Sequence, residues 1–206
     1  MATQIAVVGG SQASEAVAAK AVAVGIALAS AGAIVVCGGL GGVMEAACRG
    51  AKSAGGLTVG ILPGRDPSAA NPWVDVVIAT GLGEARNALV VGSAAVVIAV
   101  DGEYGTLSEI AMALRAGIPV IGLGTWLLTR PGGAADTGVV ALEDPGAAAA
   151  MALRLADARS GMGAAASVSC PRVPVNNLIR HGDLGCNSSS SQRAVLRRPA
   201  DHSGAP

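Results

Sequence analysis

The feature that most constrains the fold is a repeated alternation of short apolar runs with helical patterns. The apolar runs occupy residues 4–8, 33–37, 57–62, 73–79, 94–100 and 118–123, with a further short run at 139–142. Runs that are apolar throughout are typical of strands buried on both faces. Strands that alternate with helices predict a parallel sheet covered by helices on both sides. We therefore predict an α/β fold, a single Rossmann-like domain with an open parallel sheet of about six to seven strands.

The helical patterns lie between these runs, and their ends carry recognisable signals. They are predicted over residues 14–30, from the glycines at 38–42 to about 54, and over 83–91, 106–116 and 144–158. Gly32 is expected to end the first helix and Asp144 to cap the last. We place the folded domain at residues 1–160. Residues 163–206 contain a serine run, scattered proline and glycine and no apolar periodicity, so they are predicted to form a disordered tail.

Composition narrows the class of protein. Aromatic residues make up 1% of the chain and Phe is absent, so the core must consist of Ala, Val, Ile and Leu. The formal net charge is zero, which argues against a nucleic-acid partner. The N-terminus lacks a signal peptide, and no uninterrupted apolar run approaches the roughly 20 residues that cross a bilayer. We therefore expect a cytoplasmic protein with no membrane partner.

The cysteines show no metal-binding pattern. Cys37, Cys48, Cys170 and Cys186 are widely spaced, without C-x-x-C or zinc spacing. We therefore interpret them as buried or incidental thiols in a reducing compartment and predict no metal site. Both histidines, His181 and His202, lie in the predicted tail, so no histidine-based chemistry is expected in the domain.

Glycine-rich loops follow three of the predicted strands, at residues 9–10, 38–42 and 102–105. Ligands of open parallel sheets bind at the carboxyl ends of the strands, where all three loops fall. We predict that the ligand-binding residues are Gly9, Gly10, Gly39, Gly41, Gly42, Gly102, Gly105 and Thr106. Neither G-x-G-x-x-G nor a Walker A motif occurs, which favours the phosphate of a mononucleotide over a dinucleotide.

The stretch DGEYGTLSE at residues 101–109 lies between an apolar run and a helical pattern. Thr106 is predicted to open that helix, whose free N–H groups favour a phosphate. The T-x-x-E spacing of Thr106 and Glu109 is equally that of a capping box, a purely structural device. Arg86 has two readings as well: a surface arginine paired with a carboxylate, or a residue that clamps a phosphate or holds Glu109. Its predicted place in the first turn of a helix opposes the helix dipole, which favours the second reading.

These residues carry a resemblance to a known family. DGEYGTLSE resembles the PGGxGTxxE signature of the LOG family, the lysine decarboxylase-like phosphoribohydrolases, which Gly102, Gly105, Thr106 and Glu109 match. The upstream segment EARNALVV resembles that family's arginine-bearing segment, with Arg86 as its arginine. The resemblance covers residues 4–157. Two positions depart from the pattern: Asp101 replaces a proline and Glu103 replaces the second glycine. The departures favour a divergent branch, some members of which are similar to molybdenum-cofactor carrier proteins.

The resemblance implies a nucleotide-binding protein that hydrolyses the N-glycosidic bond of a nucleoside 5′-monophosphate, releasing free base and ribose 5-phosphate. The catalytic residues would be Glu109, which stabilises positive charge on the sugar or activates water, and Arg86, which positions it. No metal or other cofactor is needed for that reaction. The alternative is a non-catalytic carrier or sensor of a nucleotide or a phosphorylated pterin cofactor. A third is a relative by fold alone with a degraded site. The resemblance also implies a homodimer.

Overall fold

Seven parallel strands form one sheet at the centre of the domain. The computed structural model describes residues 2–165, with side chains to residue 160. The strands are β1 (Gln4–Gly9), β2 (Ile34–Cys37), β3 (Thr58–Leu62), β4 (Val76–Ala79), β5 (Val96–Val100), β6 (Val120–Leu123) and β7 (Val139–Leu142). Their order is β4-β3-β2-β1-β5-β6-β7, and each neighbouring pair is parallel. The predicted Rossmann-like α/β class is confirmed.

Five α-helices cover the two faces of this sheet. They are α1 (Glu15–Ser30), α2 (Val43–Ser53), α3 (Asn87–Gly92), α4 (Tyr104–Arg115) and α5 (Pro145–Ala165), and two short 3-10 segments lie at Pro67–Ala69 and Gly83–Arg86. Buried side chains of α1, α2 and α5 form one apolar cluster with the sheet, and those of α3 and α4 form another. Burial on both faces explains why the strand sequences are apolar throughout.

Small residues let α1 and α2 pack closely. A Cβ atom at Gly25 would collide with the carbonyl oxygen of Ala47, and one at Gly50 with that of Val22. Backbone therefore meets backbone where the two helices cross. This packing suits a core that contains alanine and valine in place of aromatic rings.

The observed N-terminus agrees with the prediction for α5 but not for α4. Asp144 caps α5 as predicted, because its Oδ2 accepts a hydrogen bond from the Ala147 N–H at 2.6 Å. The prediction that Thr106 opens α4 is wrong. The helix begins at Tyr104 with Glu103 as the N-cap residue, and no side chain caps it. Thr106 is therefore the third residue of the helix, and the interpretation of Thr106 and Glu109 as a capping box is wrong.

The helix predicted over residues 83–91 is also divided. A 3-10 turn runs from Gly83 to Arg86, and α3 begins at Asn87. Arg86 lies at the junction, as the N-cap residue of α3, and not in the first turn of a longer helix. The change of helix type there turns the Arg86 side chain inward, and the residue is buried.

Part of the predicted domain organisation falls outside the structural description. The tail predicted at residues 163–206 lies beyond the described residues, apart from the last three residues of α5. Cys170 and Cys186 belong to that part of the chain. Within residues 2–165, no helix combines the length and hydropathy needed to cross a bilayer.

Candidate functional site

A cavity of about 320 Å³ opens at the carboxyl edge of the sheet. The chain runs outward from β1 to β4 on one side and then crosses back to place β5 on the other side of β1. Ligands of open α/β sheets bind at this kind of reversal. The cavity wall contains Val8, Gly9, Gly10, Ser11, Gly38, Leu40, Met44, Glu84, Arg86, Asn87, Glu103, Gly105, Thr106 and Glu109.

Six of the ten predicted site residues line this cavity, and the tertiary structure brings them together from three separate segments. They are Gly9, Gly10, Arg86, Gly105, Thr106 and Glu109. Gly9 lies so close to β5 that a Cβ there would stand 2.5 Å from the carbonyl oxygen of Val100. The neighbouring Gly105 has open space where a Cβ would be. Their roles in ligand binding remain predictions.

The other four predicted glycines are placed elsewhere. Gly39 packs against Leu62 on β3, and Gly102 packs against the side chain of Thr106. Gly42 is the N-cap residue of α2 and lines a second recess of about 160 Å³, while a Cβ at its neighbour Gly41 would stand 3.3 Å from the carbonyl oxygen of Ser11. None of the four belongs to the wall of the main cavity.

Arg86 and Glu109 face each other at the cavity wall. Arg86 Nη1 lies 3.9 Å from Glu109 Oε1, which is too long for a hydrogen bond, although both side chains are buried. The guanidinium packs directly over Gly38, where any larger residue would collide with it. Within the described part of the chain, Arg86 Nε has no hydrogen-bond partner. Buried donors are almost always paired, so this unpaired donor is unusual.

The protonation of Glu109 is set by its surroundings. Burial raises the pKa of Glu109 to about 7, because the low-dielectric interior disfavours the charged carboxylate. The positive charge of Arg86 lowers the pKa, and the negative charge of Glu84 raises it. The carboxyl group can therefore donate or accept a proton near neutral pH.

The segment that follows β6 donates two hydrogen bonds to the loop before α4. Thr125 Oγ1 donates a hydrogen bond to the Asp101 carbonyl oxygen at 2.6 Å, and Trp126 Nε1 donates one to the Glu103 carbonyl oxygen at 3.2 Å. Asp101 has φ 50, in the left-handed region that non-glycine residues seldom adopt. Because α4 begins at Tyr104, the first N–H groups of the helix have no intrahelical partner and are available to an anion.

Several residues of the cavity wall were missed by sequence reasoning. Asn87 is buried beside Arg86, and its Nδ2 lies 3.3 Å from Ser108 Oγ and 3.4 Å from Glu84 Oε2. Asn87 and Glu84 belong to the same arginine-bearing segment, so examining that whole segment would have found them. Leu40 and Met44 have no polar group that would have identified them as part of a site.

Comparisons with known proteins agree with this geometry. A sequence model of the SLOG cluster4 family matches residues 2–148 of the chain. The molybdenum cofactor binding protein from Rippkaea orientalis is 35% identical with a TM-score of 0.66, covering 75% of this chain and 96% of that one. The molybdenum cofactor carrier protein MCP from Chlamydomonas reinhardtii is 33% identical with a TM-score of 0.64, covering 75% of this chain and 98% of that one.

An uncharacterized protein from Archaeoglobus fulgidus is 48% identical over 120 residues, which are 58% of this chain and 79% of that protein. The two structural matches extend over almost the whole length of the proteins concerned. Together with the family match, they confirm the resemblance predicted from residues 101–109, including its divergent branch.

Proposed function

Because this chain belongs to the SLOG cluster4 family, we propose that its cavity binds the molybdenum cofactor, a phosphorylated pterin, and carries it without chemical turnover. The observation that carries the proposal is the structural match to two proteins named for binding or carrying this cofactor, over 96% and 98% of their lengths. Their identities of 35% and 33% are high enough for the cavity as well as the fold to be shared.

The cavity offers the interactions that such a ligand needs. Its phosphate is expected at the free N–H groups of the first turn of α4, beside Gly105 and Thr106. The unpaired Nε of Arg86 supplies a further donor for an anionic oxygen. The amide of Asn87 and the carboxyl group of Glu109 can hydrogen-bond the polar edge of a pterin ring. A volume of about 320 Å³ lies at the small end of ligand sites, which excludes a dinucleotide.

The backbone of the loop before α4 separates this chain from the hydrolase signature it resembles. Proline fixes φ near −65°, and the hydrolases have proline where this chain has Asp101. Asp101 has φ 50, a conformation closed to proline. The loop therefore follows a different path here, and Glu103 adds a carboxylate to the cavity wall. Both differences favour carriage over hydrolysis.

A second candidate function is the hydrolysis of a nucleoside 5′-monophosphate. It is favoured by one observation: Glu109, whose pKa of about 7 suits a general acid or base, lines the same cavity as Arg86 and the glycine loops. In that reaction the carboxylate would stabilise positive charge on the sugar while the phosphate rests on the first turn of α4.

The test is cofactor retention by the full-length chain. The protein is mixed anaerobically with cofactor released from a molybdoenzyme and passed through a desalting column, and bound pterin is measured by fluorescence after oxidation. Transfer to a cofactor-free nitrate reductase then measures carriage. Arg86→Ala is expected to weaken retention at least tenfold, whereas Arg115→Ala, an exposed arginine at the end of α4, is expected to leave it unchanged.

A second assay distinguishes carriage from hydrolysis. Release of free base from a panel of nucleoside 5′-monophosphates, abolished by Glu109→Gln, would replace carriage with hydrolysis. If the chain retains no cofactor and releases no base, both proposals fail.

Two expectations from the sequence analysis remain predictions, the first implied by the resemblance and the second drawn from the composition of the chain. We expect a homodimer, and sedimentation velocity of the purified chain would show whether its mass is twice that of one chain. We also expect the protein to be cytoplasmic, which cell fractionation would test.

A further inference from the structure

Three sulfur atoms gather beneath the floor of the cavity. Cys37 ends β2 and Cys48 lies on α2, and their Sγ atoms are 3.4 Å apart. Met44 precedes Cys48 by four residues, one helical turn, and so stands on the same face of α2. Both cysteines are fully buried, and Met44 is 6% exposed. The three pack together with Leu40 and Val74 as an apolar cluster of their own.

This cluster touches the cavity through Met44. The cavity wall includes Gly38, Leu40 and Met44, whereas both cysteines lie behind it. A Cβ on Gly38 would stand 2.7 Å from Met44 Sδ, so the thioether rests against the residue that follows Cys37. A small ion in the cavity would therefore meet the Met44 thioether first and the two thiols next.

We propose that Cys37, Cys48 and Met44 form a binding site for one soft monovalent metal ion, Cu(I), in this chain. Thiolate and thioether groups are the soft ligands that suit Cu(I), and the three sulfur-bearing side chains pack together in one cluster. Within residues 2–165, no group of three His, Cys, Asp or Glu side chains is placed to hold a metal. The cluster therefore lacks the four ligands that a structural zinc ion takes. The three ligands are not among the groups assigned to the pterin, although Arg86 lies beside both sites, and the copper proposal does not depend on the pterin assignment.

The binding step balances without a redox reagent. Two S–H bonds break, two copper–thiolate bonds and one copper–thioether bond form, two protons leave to solvent, and copper stays in the +1 state. The product carries one negative charge. The guanidinium of Arg86, packed over Gly38, lies next to Cys37 and offsets that charge, as a buried charge requires. The Gly39 N–H, which donates to Cys37 Sγ at 3.3 Å, supports the same sulfur.

The observed spacing is close to what a metal requires. Three sulfur ligands in a plane around one ion, each at about 2.3 Å, stand roughly 4.0 Å apart. The two Sγ atoms at 3.4 Å need to separate by about 0.6 Å, which side-chain rotation provides.

The test uses the full-length chain with Cys170→Ser and Cys186→Ser, so that the remaining thiols are Cys37 and Cys48. Reduced protein is titrated anaerobically with Cu(I) in competition with bicinchoninate, and the ultraviolet thiolate-to-copper absorption is followed. We expect one ion per chain. Cys37→Ser or Cys48→Ser should abolish binding. Met44→Leu, which keeps the size of the side chain, should weaken it about tenfold, and Met112→Leu on α4 should not.

Three outcomes would overturn the proposal. In the first, the reduced protein binds no Cu(I), although a thiol titration shows that Cys37 and Cys48 are both free. Another is an ion retained equally by a Cys37→Ser/Cys48→Ser variant of unchanged melting temperature. The third is an affinity unaltered by Met44→Leu, which would remove the thioether from the site. Pterin retention is measured on metal-free protein, so its failure and the failure of copper binding are distinguishable.

Discussion

Arg86 Nη1 lies 3.9 Å from Glu109 Oε1, and both side chains are buried at the carboxyl edge of the sheet. A structural ion pair in such a place normally closes to hydrogen-bond distance and satisfies its remaining donors. This pair does neither, since Arg86 Nε has no partner among the described residues and the two groups stand apart. At least one donor of Arg86 is therefore unused within the described residues, as the proposed ligand-binding role requires.

The stability of the protein should depend on pH through Glu109. Its pKa is about 7 in the folded chain against an ordinary value of 4.5, so this contribution is fully present below pH 4.5 and is lost as the pH rises through 7. The full loss is about 3 kcal/mol. Glu109→Gln removes the dependence. Between pH 5 and pH 8, the free energy of unfolding of the variant should therefore gain about 2–3 kcal/mol relative to the wild type.

Urea unfolding at the two pH values measures this difference. Glu143→Gln is the control, because the Glu143 side chain is 90% exposed and lies outside the cavity. A stability difference between wild type and Glu109→Gln that stays constant with pH would show that Glu109 titrates normally.

Gly105→Ala should separate ligand binding from folding. Nothing lies within 4 Å of a Cβ at Gly105, and the residue is in the first turn of α4. We expect the variant to be as stable as the wild type or up to about 1 kcal/mol more stable, because alanine favours a helix over glycine. Its methyl group nevertheless enters the cavity, so pterin retention should fall at least tenfold.

Alanine substitutions at two other glycines are the controls for Gly105→Ala. Gly92→Ala, also helical with open space around its Cβ but outside the cavity, should match the stability of Gly105→Ala and retain pterin normally. Gly9→Ala should lower the melting temperature, since its Cβ would stand 2.5 Å from the Val100 carbonyl oxygen. Thermal unfolding of the three variants provides the comparison. Normal retention by Gly105→Ala would place the ligand elsewhere.

Thr125→Val should loosen the loop before α4 without changing the cavity wall. The Thr125 hydroxyl donates to the Asp101 carbonyl oxygen at 2.6 Å, and Asp101 holds an unfavourable φ of 50. Loss of one hydrogen bond costs about 1 kcal/mol, so we expect ligand affinity to fall about fivefold. Thr80→Val is a matched control, because the Thr80 hydroxyl donates to the Leu62 carbonyl oxygen outside the cavity. Equal affinities in the two variants would contradict the assignment of Thr125 as a positioning residue.

Asp75 should be required for the β3–β4 edge of the sheet. Its Oδ2 accepts from the Thr58 N–H at 2.9 Å, and its Oδ1 accepts from Lys52 Nζ at 2.7 Å. Burial alone would raise the pKa of Asp75, but the hydrogen bonds from Lys52 and Thr58 outweigh it and lower the pKa below 3.8. Its contribution is therefore present above pH 3.8 and is lost as the pH falls through the lowered value.

Asp75→Ala leaves the buried Thr58 N–H without its acceptor and should lower the free energy of unfolding by about 1–3 kcal/mol at pH 7. Chemical unfolding at pH 7 and at pH 3 measures both the loss and its pH dependence. Asp157→Ala, a carboxylate on α5 far along the chain, should have little effect. An equal loss in the two variants would argue against the Thr58 contact.

Much of the candidate site could be predicted from the sequence because its residues lie near the ends of strands. Gly9 ends β1, Gly10 follows it, and Gly105 lies five residues beyond the end of β5. Strand ends can be located from apolar periodicity alone. Thr106 was misplaced for a physical reason. Its T-x-x-E spacing satisfies a local capping pattern, but the backbone enters the helix at Tyr104. The loop before it is held by hydrogen bonds from Thr125 and Trp126, more than 20 residues away in the chain.

The sequence by itself determined the parallel sheet, the helices on its two faces and the edge of the sheet at which the cavity opens. Burial on both faces leaves a continuous apolar pattern in each strand, and glycine marks the turns that follow. Only the tertiary structure decided which side chains meet at that edge. Arg86 reaches Glu109, and Cys37 reaches Cys48, because α3 packs against α4 and α2 packs over β2. Such contacts depend on the crossover of the chain and the rotation of each helix about its axis, which local patterns do not encode.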